Sequence, residues 1–157
     1  MDTAVMMGNT IRKGDWKMSN VNTKDRHGHT PLMEAAKIGD LETVRELMNR
    51  NPDLEAQSAK GKTALHYASA NGHVDVVKLL IENGSIIDAR DNEGHTPLMF
   101  AAIYGCNHTV QALLANGANP LAKTKSGNTA LIYAENNSHP ITLALLKKAQ
   151  RPKEGHA

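Results

Sequence analysis

One cysteine, Cys106, stands in 157 residues. No internal disulfide can form, so packing alone must hold the fold, and a free thiol suits a reducing compartment. Aromatic side chains are nearly as scarce: Trp16, Tyr67, Phe100, Tyr104 and Tyr133 are the whole set. No stretch approaches the roughly 20 apolar residues that a membrane-spanning helix needs. Val5, Met6 and Met7 run directly into Gly8, Asn9 and Thr10, which leaves no apolar segment for a signal peptide. A cytoplasmic location is therefore the expectation, with export open if a leader was removed before residue 1. Neither sign of charge dominates, and a formal net charge of +2 is too small to make nucleic acid the expected partner. Catalytic signatures are missing too. There is no phosphate-cradling glycine loop with its lysine, no G-x-S-x-G elbow and no H-E-x-x-H helix.

What the chain does contain is self-similarity. Gly28-His29-Thr30-Pro31-Leu32 returns as Gly61-Lys62-Thr63-Ala64-Leu65, then as Gly94-His95-Thr96-Pro97-Leu98 and Gly127-Asn128-Thr129-Ala130-Leu131, each step being 33 residues. Other columns keep the register: Ala35, Ala68, Ala101 and Ala134; Val44, Val77, Val110 and Leu143; Leu47, Leu80, Leu113 and Leu146. Each glycine before a threonine suits a β-turn. Each threonine suits a helix N-cap, and Pro31 and Pro97 fall at the first helical position, where a missing N–H costs nothing. The leucine and the small pair after it share one face of a short helix. Gly39, Gly72 and Gly105 end that helix. A second helix follows, with Val44, Leu47 and Met48, and then Val77, Leu80 and Ile81, on its buried stripe; Gly84 and Gly117 stop it.

This turn–helix–helix unit resembles the ankyrin repeat, whose signature is T-P-L-H-x-A in a 33-residue period. Thr63-Ala64-Leu65-His66-Tyr67-Ala68 and Thr96-Pro97-Leu98-Met99-Phe100-Ala101 are similar to it. The resemblance covers residues 25–150 and implies an all-α solenoid of repeats 25–57, 58–90, 91–123 and 124–150. Residues 1–24 are expected to form a degenerate N-terminal cap with one short helix, Ile11 and Trp16 covering the first repeat, and 151–157 a flexible tail. The column of Met48, Ile81 and Leu114 holds Lys147 in the fourth repeat, the polar substitution a terminal cap needs.

The resemblance also implies a cupped hand, with turns as fingers and first helices as the palm. Residue 34 lies about 200° around its helix from Leu32, so the palm column is Glu34, Tyr67, Phe100 and Tyr133, with Ile38, Asn71, Tyr104 and Asn137 a turn further on. Every Phe and Tyr of the chain falls on these columns, outside the Leu/Val/Ala core. Rigid aromatics there are either partner-binding anchors or packing for the neighbouring repeat.

The fingers carry Arg26, His27 and His29; Ala59, Lys60 and Lys62; Asn92, Glu93 and His95; and Lys125, Ser126 and Asn128. Their positive excess would steer an acidic partner surface, or is simply a solvated rim.

Eight histidines raise the question of a metal. His27 and His29 are close in sequence, but His95 is two repeats away and no third ligand has usable spacing, so no metal or cofactor is expected. His66 is structural if the family motif holds, as are His73 and His139 in the family's Gly-His position; Cys106 shares their column. The expected function is a non-catalytic protein-binding module, monomeric when free. The partner presents an acidic and apolar surface and is regulated or inhibited by being gripped. A self-assembling scaffold is the alternative, and an enzyme the third class.

Overall fold

Four threonines set the frame. In the computed structural model, which describes residues 20–151, each begins the first helix of a repeat from an extended backbone. The helices are α1 (Pro31–Ile38), α2 (Leu41–Met48), α3 (Ala64–Ala70), α4 (Val74–Glu82), α5 (Pro97–Ile103), α6 (Asn107–Ala115), α7 (Ala130–Asn136) and α8 (Pro140–Gln150). Thr30, Thr96 and Thr129 accept from the backbone N–H three residues on, at 3.3–3.4 Å. Such a cap satisfies one of the helix's orphan donors.

The odd-numbered helices pack in series, α1 on α3, α3 on α5 and α5 on α7, and the even-numbered helices form a second, outer series. Small residues permit the inner approach: Ala36, Ala68, Ala101 and Ala134 are fully buried. Between the layers, Leu47, Leu80, Leu113 and Leu146 are at 0% exposure, as are Val44, Val77 and Val110. Burying each such side chain contributes about 1.5–3 kcal/mol. In the fourth repeat Leu143, in the column of those valines, is half-buried, and Lys147 is exposed. No helix among the described residues is long and apolar enough to cross a membrane.

Successive repeats are keyed by a histidine laid on a glycine. The His73 ring donates from Nε2 to the Lys37 carbonyl at 3.0 Å, and that of His139 to the Ile103 carbonyl at 2.8 Å. Gly39 has φ 78°, and a Cβ there would sit 2.5 Å from His73 Nδ1, so only glycine meets both demands. Cys106 fills the same column between them, half-buried, with its thiol pushed above its usual pKa by burial. Ser138 takes the last position of the glycine column at φ 58°, a left-handed conformation unusual for a residue with a Cβ.

The expected cap helix, with Ile11 and Trp16, and the tail beyond residue 151 lie outside the described residues.

Candidate functional site

A second 33-residue column builds the fingers: Asp25, Ser58, Asp91 and Thr124, all buried. Asp25 Oδ1 accepts from the backbone N–H of His27 at 2.8 Å and of His29 at 3.0 Å; Asp91 Oδ1 does the same for Glu93 and His95. Ser58 and Thr124 accept from Lys62 and Asn128. Neighbouring fingers are joined by single backbone bonds of 3.0 Å, from Ala59 N–H to His27, Asn92 N–H to Lys60 and Lys125 N–H to Glu93. The fingers are thus a hydrogen-bonded row. The column keeps the 33-residue period, but its mixed Asp, Ser and Thr identities hide its common role in the sequence.

On this frame Tyr67, Phe100 and Tyr133 each meet a finger side chain of the preceding repeat. Tyr67 Oη lies 3.0 Å from His29 Nε2 and donates to Ser58 Oγ at 3.0 Å. Tyr133 Oη lies 3.0 Å from His95 Nε2. Phe100, lacking a hydroxyl, instead has the Lys62 ammonium 4.6 Å from its ring centroid. It also lies against the rings of His66 and His95, at 5.7 and 5.1 Å between centroids.

Three of the sequence-derived palm aromatics are therefore engaged inside the protein. Phe100 is only 7% exposed, which corrects the expectation that no aromatic joins the buried interior. Tyr67 and Tyr133 are half-buried and pack on the core. Glu34 is half-buried, with Oε1 2.6 Å from His29 Nδ1. One helical turn further along, Asn71 and Asn137 donate back to the Tyr67 and Tyr133 carbonyls at their own helix ends. Ile38 and Tyr104 are different: they are 66% and 60% exposed.

Of the expected finger residues, Arg26, His27, Lys60, Glu93 and Lys125 are exposed, whereas His29, Lys62 and His95 are half-buried behind the tips. Burial holds the Lys62 ammonium below its usual pKa, and the nearby charges of Lys60 and Lys37 add to that effect against the attraction of Asp91. Lys37, absent from the sequence-derived set, thus belongs to the same surface. Its place beside Ile38 on a palm helix was the available signal. Two shallow concavities flank the Lys60/Lys62 finger. One, of about 350 Å³, opens between the first and second repeats beside Tyr67; the other, of about 370 Å³, opens toward Phe100, Asn92 and Glu93.

His66 is structural, in the way its motif implies. Its Nδ1 accepts from the Thr63 backbone N–H at 3.0 Å, which leaves Nε2–H to donate to the His95 carbonyl at 2.9 Å. The ring is fully buried, and burial lowers its pKa.

Asp25, His29 and Glu34 bring ligand atoms within 4.8 Å of one another, a third-ligand grouping that sequence spacing did not reveal. The donors are already engaged: Asp25 by two backbone N–H groups, His29 by Glu34 and Tyr67. The 2.6 Å His29–Glu34 contact is that of a hydrogen bond. Two ligands of tetrahedral zinc, with bonds near 2.0 Å, would sit about 3.3 Å apart. Asp91 and His95 repeat part of this arrangement without a second carboxylate, as expected of a turn device.

A family model described as ankyrin repeats (3 copies) matches residues 4–91, and another described as ankyrin repeats (many copies) matches residues 80–134. No curated protein matches the chain.

Proposed function

The chain belongs to the ankyrin repeat family, and on that premise we propose that it grips a specific protein partner in its concave face, as a non-catalytic regulator or inhibitor of that partner. Ankyrin repeats generally serve protein–protein interaction, so the partner-binding role rests on the family, and the site rests on this chain's own surface. The observation that carries it is the exposure of Ile38 and Tyr104. Both are large apolar side chains left open at the C-terminal ends of inner helices, Ile38 closing α1 and Tyr104 following α5, while the other palm positions of the two columns are buried, half-buried or bonded by their side chains to their own helix ends. Exposed aromatic and aliphatic anchors beside a polar rim are the usual energetic centre of a protein interface.

The rim supplies charge. Arg26, Lys60, Lys62 and Lys125 oppose Glu93 along the fingers, which favours a partner with an acidic surface around an apolar contact. The hydrogen-bonded finger row and the keyed repeats give a preorganised surface, so little conformational entropy is lost on binding. A cytoplasmic setting suits the free Cys106 thiol, and exposed Lys147 on α8 favours a monomer over open-ended stacking.

Site-specific photo-crosslinking tests this. A benzophenone side chain placed at position 104 is expected to capture a protein that the same group at position 78, on the exposed face of α4, does not. Capture from position 78 alone would move the interface to the outer helices.

A further inference from the structure

Between the first and second repeats the concave surface carries a cluster of positive charge, offset at Lys62 in part by Asp91. The concavity of about 350 Å³ is lined by His27, His29, Lys37, Ser58, Ala59, Lys60, Lys62 and Tyr67, and no carboxylate is among them. Lys37 and Lys60 are exposed and Lys62 half-buried. Among the described residues, no carboxylate forms an ion pair with any of the three. Asp91, the carboxylate that acts on Lys62, is buried and already accepts from the Glu93 and His95 backbone N–H groups, and Glu34 is held by His29. Lys62 is positioned rather than free to swing away, because its ammonium rests 4.6 Å from the Phe100 centroid and 5.7 Å from that of Tyr67.

We propose that this concavity is an anion subsite for the carboxylate side chain of an acidic peptide segment in the partner, held by the ammonium groups of Lys37, Lys60 and Lys62 with the segment's neighbouring apolar side chain against Tyr67. The inference rests on the protein-binding reading and gives it a chemistry. An incoming carboxylate relieves the mutual repulsion of three cations, so the same geometry that is unfavourable when empty favours the bound state. Lysines contribute point charge without a fixed fork, which suits a carboxylate on a flexible side chain; a dedicated phosphate site draws on arginine forks or clustered backbone N–H groups.

Direction along the surface follows from the next finger. Glu93 lines the adjoining concavity with Asn92 and Phe100. An acidic residue fits on the first-repeat side of Lys62 and is repelled on the third-repeat side, so the segment is acidic at one end and neutral or basic at the other. Single-stranded nucleic acid also uses lysines and aromatic rings. Phe100, under the Lys62 ammonium and only 7% exposed, offers no open face for base stacking, and the net charge of the whole chain is only +2.

The test is a titration of the full chain, followed through its backbone amide resonances, with the blocked pentapeptide Ala-Glu-Glu-Leu-Ala. Its Ala-Gln-Gln-Leu-Ala counterpart and a thymidine decamer serve as comparisons. Saturable shifts are expected at Ala59, Lys60, Lys62 and Tyr67 with the acidic peptide, weaker by about tenfold or more with the glutamine peptide. The exposed double variant Lys37→Glu/Lys60→Glu should abolish them while its own amide spectrum stays folded. Equal shifts from both peptides, shifts confined to other residues, no shift at millimolar peptide, or tighter binding of the decamer would each overturn the subsite. If the subsite fails while a protein is still captured from position 104, the protein-binding reading stands and only its chemistry here is wrong.

Discussion

The phenol oxygen of Tyr67 sits 3.0 Å from Nε2 of His29, a residue 38 positions earlier in the chain. The same offset brings Tyr133 to His95, and a lysine–aromatic contact takes its place between Lys62 and Phe100. Fingers and palm are therefore coupled from each repeat to the next, and the palm surface is partly built from finger side chains. Removing the hydroxyl in Tyr67→Phe is expected to cost about 0.5–1.5 kcal/mol in urea denaturation, since the Ser58 bond goes with it. A cost indistinguishable from zero would mean that solvent replaces both contacts.

Phe100 and Tyr104 should part company. Phe100→Ala empties a site that is 7% exposed and is expected to destabilise by about 3–5 kcal/mol. Tyr104→Ala removes a side chain that is 60% exposed and should stay within about 0.5 kcal/mol of the parent. Equilibrium unfolding of the two variants separates a structural ring from a binding one. Similar losses in both would contradict the assignment.

That division was only half legible in the sequence. The 33-residue period placed Leu32, Ala35, Val44 and Leu47 in the interior, and the structure buries all four. Helical geometry likewise placed Ile38 and Tyr104 on one exposed column. The burial of Phe100 was hidden because Lys62, which covers its ring together with His95 of its own repeat, comes from the finger of the preceding repeat. A contact spanning 38 residues crosses the repeat register, so column alignment cannot display it. Lys37 was missed for a similar reason: its neighbours Lys60 and Lys62 belong to the following repeat.

His66 makes stability depend on pH. Burial lowers its folded pKa below the ordinary histidine value, so the unfolded chain binds the proton more readily. Stability from this group is fully present above the unfolded pKa and is lost as pH falls below about 6.5 toward the folded value. Chemical denaturation at a series of pH values should show that loss in the parent. In His66→Asn the loss should shrink. An unchanged slope would place the pH dependence on other groups.

Ser138 holds φ 58° where the first three repeats have glycine. Ser138→Gly is expected to raise stability by up to about 1 kcal/mol, because relief of the left-handed strain outweighs the added freedom of the unfolded chain. A lower melting temperature would show that the serine side chain earns its place in that turn.

The central claim is that the exposed palm residues bind a protein without holding up the fold. The most direct measurement is the calorimetric affinity of the Ile38→Ala/Tyr104→Ala variant for the purified partner captured from position 104, with its melting temperature recorded alongside. The account predicts a Kd weakened by about tenfold or more with the melting temperature essentially unchanged. An unchanged Kd, or a loss of binding that tracks a loss of folding, would contradict it.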